Sequence, residues 1–247
     1  MFVIFRQSSS GADPIVSVRA AAESFGSAAG DANAPALEAP VVTAGRITLT
    51  AWQPAGYVLK TAAGRTLEAT AGTLPAPLTI QGDWQVSFPP GLGAPPQVIL
   101  DHLMSWTESY DDGIKFFSGT ATYVKSFDLD ERYFGPGKRL FIDLGVVKNL
   151  ARVRLNGQDL GVLWKAPFRV EITGAAKPLT NHLEIELTNL WPNRMIGDAY
   201  LPPAQRITWA SVAPYGKGSP LLPSGLLGPV MIRAAADVEA RPATAAQ

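Results

Sequence analysis

Apolar and polar residues alternate along several short segments of the chain. Leu140–Leu144, Ala151–Leu155, Phe168–Ile172 and Leu183–Leu187 each place apolar side chains at every second position, with polar or charged side chains between most of them. Successive side chains of a β-strand point to opposite faces of its sheet, so this period predicts strands with one buried and one wet face. Since no segment carries a sustained apolar repeat at helical spacing, we expect few helices.

Further strands and their turns support the same architecture. Arg46–Thr50, Gly56–Leu59 and Trp84–Phe88 also have strand character. Asn156-Gly157 directly follows one of the alternating segments, and this dipeptide favours a tight hairpin because both residues tolerate a positive φ. Many short strands separated by Gly and Pro predict an all-β fold, an antiparallel jelly-roll β-sandwich.

Composition along the chain suggests three regions. Residues 1–75 form an N-terminal lead-in and small β region, which is partly linker-like because residues 7–40 are rich in Ala, Ser, Gly and Pro. Residues 76–235 hold the jelly-roll sandwich. Residues 236–247 include an Ala- and Pro-rich end and are expected to be a disordered tail.

Charge and composition exclude some classes of function. The 247 residues are 47% hydrophobic and 17% charged, with 21 basic and 21 acidic side chains, and they include no cysteine. A chain with no net charge is a poor candidate for nucleic-acid binding, whereas a neutral sugar is compatible with it. The apolar run at Met1–Arg6 is too short for a signal-peptide core or a membrane span, so no membrane partner is expected.

Several motifs, taken in order, resemble one family. They are Phe117–Tyr123; Leu144–Ala151 with Asn156-Gly157, Leu160-Gly161 and Trp164–Phe168; Thr188–Asp198; and Ser224–Val230. Together they resemble the C-terminal β-sandwich of glycoside hydrolase family 106, the α-L-rhamnosidases. They are more distantly similar to the galactose-binding-like, sugar-binding jelly roll of the family 2 β-galactosidases. The resemblance covers roughly residues 80–235.

The resemblance implies a carbohydrate-associated accessory module without the enzyme's catalytic barrel, since a barrel alone takes about 250 residues. The implied partners are carbohydrate and a catalytic domain of a parent enzyme, in a periplasmic or secreted location. Two alternatives stay open. One is a free-standing small glycoside hydrolase that acts on rhamnosides or galactosides, and the other is a purely structural sandwich.

The resemblance also points to candidate sugar-binding residues. The third motif concentrates groups that bind sugars, because aromatic faces stack on C–H surfaces while amides, guanidinium groups and carboxylates bind hydroxyls. Its candidate ligands are Asn189, Trp191, Asn193, Arg194 and Asp198. The alternative is that Trp191 anchors the core and that Arg194 and Asp198 form an ion pair that pins a loop.

Other candidates are weaker. Trp164 is expected to end a strand at an edge of the sandwich, and it is either an exposed platform for a sugar ring or a cap on the core. The loop acids Glu108, Asp111 and Asp112 could be taken for a glycosidase pair, but a solvated turn explains them more simply, and no catalytic residue is assigned. No cofactor is expected and no zinc site is indicated, although the sequence leaves room for a calcium ion held by loop oxygens.

Overall fold

The computed structural model describes residues 13–20, 37–38, 40–43, 46–212 and 214–243. These residues form two compact units, one from the residues up to Ala76 together with those from Ala235 onward, and the other from Pro77–Ala234. Strands dominate both units, and the predicted all-β sandwich is confirmed. Met1–Arg6, most of the predicted lead-in and the last four residues of the predicted tail lie outside the described residues.

The small unit is built from strands of both ends of the chain. Its strands are β1 (Ile15–Ala20), β2 (Val41–Thr43), β3 (Arg46–Ala51), β4 (Ala55–Thr61), β5 (Thr66–Ala71) and the end of the last strand, β17 (Met231–Pro242). The strands β1, β4 and β5 pair in that order, and β17 pairs with both β3 and β5. Leu49, Tyr57 and Leu59 are the large buried side chains of its core.

Two expectations about the chain ends are wrong in part. The tail was expected to be disordered from residue 236, but β17 continues to Pro242 and pairs with β3 from Ala236 to Ala240. The reason is an alternation in which Ala236, Val238 and Ala240 pack against the small core. Within the linker-like region, residues 15–20 form β1, which pairs with β4.

The large unit holds the other strands and the short helices. The strands are β6 (Leu78–Thr79), β7 (Trp84–Ser87), β8 (Gln97–Leu100), β9 (Thr120–Leu129), β10 (Lys138–Asp143), β11 (Val146–Lys148), β12 (Leu150–Leu155), β13 (Gln158–Leu163), β14 (Arg169–Glu171), β15 (Leu179–Thr188), β16 (Gly225–Gly228) and the start of β17. The α-helices are α1 (Asp112–Lys115) and α2 (Pro192–Asp198), and short 3-10 helices span Trp106–Glu108, Glu131–Tyr133 and Pro203–Gln205.

The strands of the large unit form antiparallel sheets. One sheet has the order β13-β12-β15-β9-β7-β8, with β15 and β9 paired over their whole lengths. The start of β17 lies between β6 and β10, and β10 pairs in turn with β14. A separate ribbon joins β11 to β16.

The register in the large unit confirms the predicted alternation. Val153 of β12 lies opposite Ile185 of β15, and both are fully buried. On the other face of the same pair, Arg154 forms ion pairs with Glu184 and Glu186. The hairpin at Asn156-Gly157 also forms as predicted, with φ values of 53° and 82°. Side chains of opposite character are therefore sorted to opposite faces of the sheet.

An aromatic cluster fills the centre of the large unit. The rings of Trp106 and Tyr123 stack with centroids 6.3 Å apart, and Phe88 and Phe117 meet Trp106 edge-on. The Trp106 indole N–H donates to the Tyr123 hydroxyl at 2.6 Å, and the Leu226 backbone N–H donates to the same oxygen at 3.2 Å. Burial raises the pKa of Tyr123 far above its ordinary value, so this hydroxyl stays neutral. Trp106 is thus a core residue.

Candidate functional site

The segment that follows β15 carries five of the six predicted sugar-binding residues. β15 ends at Thr188, which lies opposite Thr120 of β9 on one side and Leu150 of β12 on the other. Asn189 leads out of the sheet, and Pro192 is the first residue of α2. Proline suits this position because its fixed φ matches the helix and the N–H that it lacks would have no helical partner. The segment therefore leaves the sheet at the end where β9 and β12 begin.

The two asparagines of this segment are buried and bound to the backbone. Asn189 accepts a hydrogen bond from the Gly119 N–H at 2.9 Å and donates to the Phe117 carbonyl at 2.8 Å. Asn193 donates to the Leu222 carbonyl at 2.7 Å and accepts from the Leu222 N–H at 2.9 Å. Both amides hold neighbouring loops in place, and their assignment as sugar ligands stays a prediction.

Arg194 and Asp198 form a buried ion pair on α2. The Arg194 Nη2 lies 3.0 Å from the Asp198 Oδ1, and each side chain is 5% exposed. The other carboxylate oxygen, Oδ2, accepts from the Thr208 N–H at 2.7 Å and from the Thr208 hydroxyl at 2.6 Å. The Arg194 Nε has no hydrogen-bond partner. The ion pair foreseen as the alternative to sugar binding is confirmed, and it leaves part of the guanidinium unsatisfied.

The surroundings of Asp198 favour its charged form. Burial by itself raises the pKa of this carboxyl group. The hydrogen bonds from Thr208 and Ile207 and the charge of Arg194 act in the other direction and together outweigh burial. The net result is a pKa below the ordinary value of 3.8, so Asp198 is a carboxylate at neutral pH.

Trp191 borders an open groove and does not anchor the core. Its side chain is 53% exposed at the start of α2, so the core-anchor alternative is wrong for this residue. A groove of about 420 Å³ lies beside it, which we call the tryptophan groove. Its lining residues are Trp191, Met195, Ile207, Thr208, Trp209 and Ala210. Trp209 is 88% exposed, so two indole rings stand at the surface of one groove.

Sequence reasoning missed Trp209 and its neighbour Tyr215. Both line a second hollow of about 420 Å³, which shares Met195, Ile207, Thr208, Trp209 and Ala210 with the tryptophan groove. The stretch from Ile207 to Tyr215 forms no strand or α-helix in its described residues, so it has no periodic pattern from which exposure could be read. The available signal was an isolated tryptophan outside any predicted strand.

Trp164 is exposed at the same end of the six-stranded sheet. It follows β13, whose Leu163 lies opposite Ala151 of β12, and its side chain is 68% exposed. The alternative in which it caps the core is therefore wrong. β12 lies between β13 and β15, so the ends of β13 and β15 are separated by about 10 Å, two strand spacings. Its role as a sugar platform stays a prediction.

A helix cap and exposure to solvent account for the three loop acids Glu108, Asp111 and Asp112. Asp111 accepts hydrogen bonds from the N–H groups of Gly113 and Ile114 and so caps α1, while Glu108 and Asp112 are exposed.

Among the described residues, no three His, Asp or Glu side chains lie together in a way that could hold a metal ion. In the same part of the chain, no helix has the length and apolar character that a membrane crossing requires.

Comparison with known proteins finds similarity to segments of longer chains. No family model matches the sequence. A protein of Formosa agariphila named "Putative beta-glucuronidase" is 38% identical over 202 residues, which are 72% of this chain and 17% of that protein. The solved structure of a rhamnosidase from Novosphingobium sp. PP1Y is 30% identical with a TM-score of 0.61, over 76% of this chain and 22% of that one. A Ruminococcus gnavus β-glucuronidase reaches a TM-score of only 0.39 at 19% identity, over 46% of this chain and 21% of that one.

These findings define the class of protein to which the chain is similar. It spans about a fifth of the length of the proteins that it matches, and both of the stronger matches carry glycoside hydrolase names. The likeness to the rhamnosidase structure covers three quarters of this chain. The chain is thus similar to one domain-sized segment of much longer glycoside hydrolases.

Proposed function

We propose that the chain is a carbohydrate-associated accessory module of an α-L-rhamnosidase-like glycoside hydrolase. It would bind saccharide and leave hydrolysis to another domain. The tryptophan groove is the observation that carries this proposal. The similarity to a rhamnosidase supports the rhamnosidase-like assignment, while the curated relative's name refers to a different sugar, so the experiment must compare sugars.

The groove has the chemistry of a sugar platform. Trp191 and Trp209 expose indole rings on which the C–H face of a pyranose can stack, and Thr208 is the polar residue of the lining. Contiguous exposed apolar surface often marks a ligand-binding site, and here two indole rings line one groove. A shallow, open groove buries little of a ligand, so we expect dissociation constants in the millimolar range, near 4 kcal/mol of binding free energy.

The acids of the described residues do not favour catalysis. Glycoside hydrolysis needs one carboxyl group whose pKa is raised, so that it can donate a proton, and a second one across the bond. Where a carboxyl pKa clearly departs from its ordinary value in the described part of the chain, it is lowered. The residues concerned are Asp13, Asp159, Glu171 and Asp198. Such groups are held as carboxylates and are poor proton donors.

Titration calorimetry of the full chain tests the proposal. Rhamnose-containing oligosaccharides should bind, and Trp209→Ala should weaken binding about fivefold, since stacking on one aromatic ring is worth about 1 kcal/mol. Tyr110→Ala is the matched control, because Tyr110 is fully exposed and lines neither hollow beside α2. Equal affinity of Trp209→Ala and wild type would place any binding elsewhere, with Trp164→Ala as the next variant.

A turnover assay separates this proposal from a free-standing hydrolase. The full chain should show no substantial release of product from aryl α-L-rhamnosides, β-galactosides or β-glucuronides. Robust turnover that Glu108→Gln or Asp112→Asn abolishes would show that the chain is itself an enzyme. Absence of binding to every saccharide would instead leave the purely structural sandwich.

A further inference from the structure

A further cavity lies between α1 and α2. It has a volume of about 510 Å³, and we call it the α1–α2 cavity. Its walls include Lys115, Phe116, Arg194, Tyr200, Leu201 and Ile207. A volume of this size is typical of small-molecule sites. Ile207 also lines the tryptophan groove, so the two hollows adjoin each other.

Arg194 brings an incompletely satisfied charge to this cavity. The residue is only 4% exposed, and its guanidinium group can donate five hydrogen bonds. The structure gives it one ion pair, with Asp198, and leaves Nε without a partner. A buried cation with unused donors is unfavourable unless further acceptors approach it. A ligand oxygen in the cavity would supply such an acceptor.

The charges that line the cavity favour an anion. Lys115 and Arg194 are the two cations among the lining residues, and Asp112 is the one acid there. Asp198, which balances Arg194, is not among the residues that line this cavity. The Lys115 Nζ lies 6.0 Å from the centre of the Phe116 ring, which keeps its charge beside the cavity wall. The lining itself therefore holds one more cation than acid, while Asp198 pairs with Arg194 from outside the lining.

The remaining walls suit the carbon skeleton of a sugar. Phe116 and Tyr200 lie with ring centroids 6.2 Å apart and present apolar surface beside the two cations. Gly197 permits this arrangement, because a Cβ at that position would lie 2.6 Å from both the Phe116 side chain and the Arg194 Nη2. The absence of a side chain at Gly197 therefore allows the Phe116 ring and the Arg194 guanidinium group to lie close together.

We propose that the α1–α2 cavity binds an acidic saccharide, with its anionic group on Arg194 and Lys115 and its ring against Tyr200 and Phe116. A carboxylate matches the planar guanidinium in a two-bond geometry, and a sulfate ester offers the same acceptor oxygens. This inference rests on the proposed function and deepens it by naming the class of saccharide.

Titration calorimetry with matched ligands tests the inference. Digalacturonate should bind the full chain at least tenfold more tightly than the neutral galactobiose at low salt, and the difference should shrink as salt is added. Lys115→Gln should weaken digalacturonate binding about tenfold and leave galactobiose binding unchanged. Lys60→Gln, at an exposed position of the small unit, is the control of equal charge change and should bind as wild type does.

Further variants and ligands fix the meaning of each outcome. Arg194→Lys keeps the positive charge but loses the planar guanidinium group. If this variant folds, it should weaken the binding of digalacturonate more than the binding of galactobiose. If it does not fold, the result for Lys115→Gln alone tests the inference. Galactose 6-sulfate distinguishes a sulfate from a carboxylate, and preference for either over the neutral sugar supports the inference. If neutral saccharides bind through Trp209 while acidic ones gain nothing, this inference fails alone. If no saccharide binds, the proposed function fails with it.

Discussion

Replacing Asp198 by asparagine removes one charge from a buried ion pair while keeping the shape of the side chain. Arg194 would then be a buried cation without a counterion, and breaking such a pair costs about 3–5 kcal/mol. The amide oxygen can still accept from Thr208, so those bonds weaken without being lost. We therefore expect Asp198→Asn to lower the free energy of unfolding by about 3–5 kcal/mol, a large fraction of a typical domain's stability.

Urea unfolding measured by tryptophan fluorescence checks this value. With a slope of about 2–3 kcal/mol per molar urea for a unit of this size, the midpoint should fall by roughly 1–2.5 M. The pKa of Asp198 lies below its unfolded value of 3.8, so the stabilisation from its charge is fully present above that pH. It is lost as the pH falls below 3.8 through the folded pKa. The gap between wild type and variant should therefore narrow in acid.

Asp159→Asn is the control, because it removes a similar pair with Arg152 at the surface of the large unit. Surface pairs contribute little, so this variant should unfold at nearly the same urea concentration as wild type. If Asp198→Asn were as stable as the control at pH 7, the buried pair would not be a determinant of stability. A gap that stayed constant down to pH 3 would contradict the lowered pKa of Asp198 in the folded protein.

Two further predictions concern the large unit. Tyr123→Phe leaves the buried N–H groups of Trp106 and Leu226 without an acceptor, so it should lower the free energy of unfolding by about 2–4 kcal/mol, and an unchanged urea midpoint would contradict this. Gly145→Ala should strongly destabilise the fold, because the φ of Gly145 is +63° and a Cβ there would lie 2.4 Å from the Gly228 backbone. Gly174→Ala is the control, because a Cβ at that position meets nothing within 4 Å. Thermal unfolding should show a much lower midpoint for the first variant than for the second.

The period of the strands made most of the fold predictable. Ala151–Leu155 and Leu183–Leu187 show which side chains are buried, because a strand with one wet face must alternate. The same reasoning could have found the end of β17, where Ala236 and Val238 alternate with Asp237 and Glu239, but the high alanine content of the region masked the signal. Alanine is only weakly hydrophobic, so an alternation of alanine with polar residues gives a weak signal for a strand.

The candidate site was predictable only in part. The motif Thr188–Asp198 marked the right segment, and the pairing of Arg194 with Asp198 follows from their i, i+4 spacing on a helix. Burial of the asparagines and exposure of Trp209 depend on contacts between loops that are distant in sequence. Such contacts have no local period, so a single sequence does not reveal them.

The division of the small unit between the two ends of the chain has a consequence for biosynthesis. Ribosomes release a chain from its N-terminus, so β3 and β5 emerge long before β17, the strand that covers an edge of each. Until then both strands present unpaired backbone groups that attract foreign strands. A chain cut after Ala234 would keep the first four residues of β17 in the large unit and leave those edges open permanently. Synthesis of the whole of β17 is thus expected to protect the N-terminal strands from aggregation.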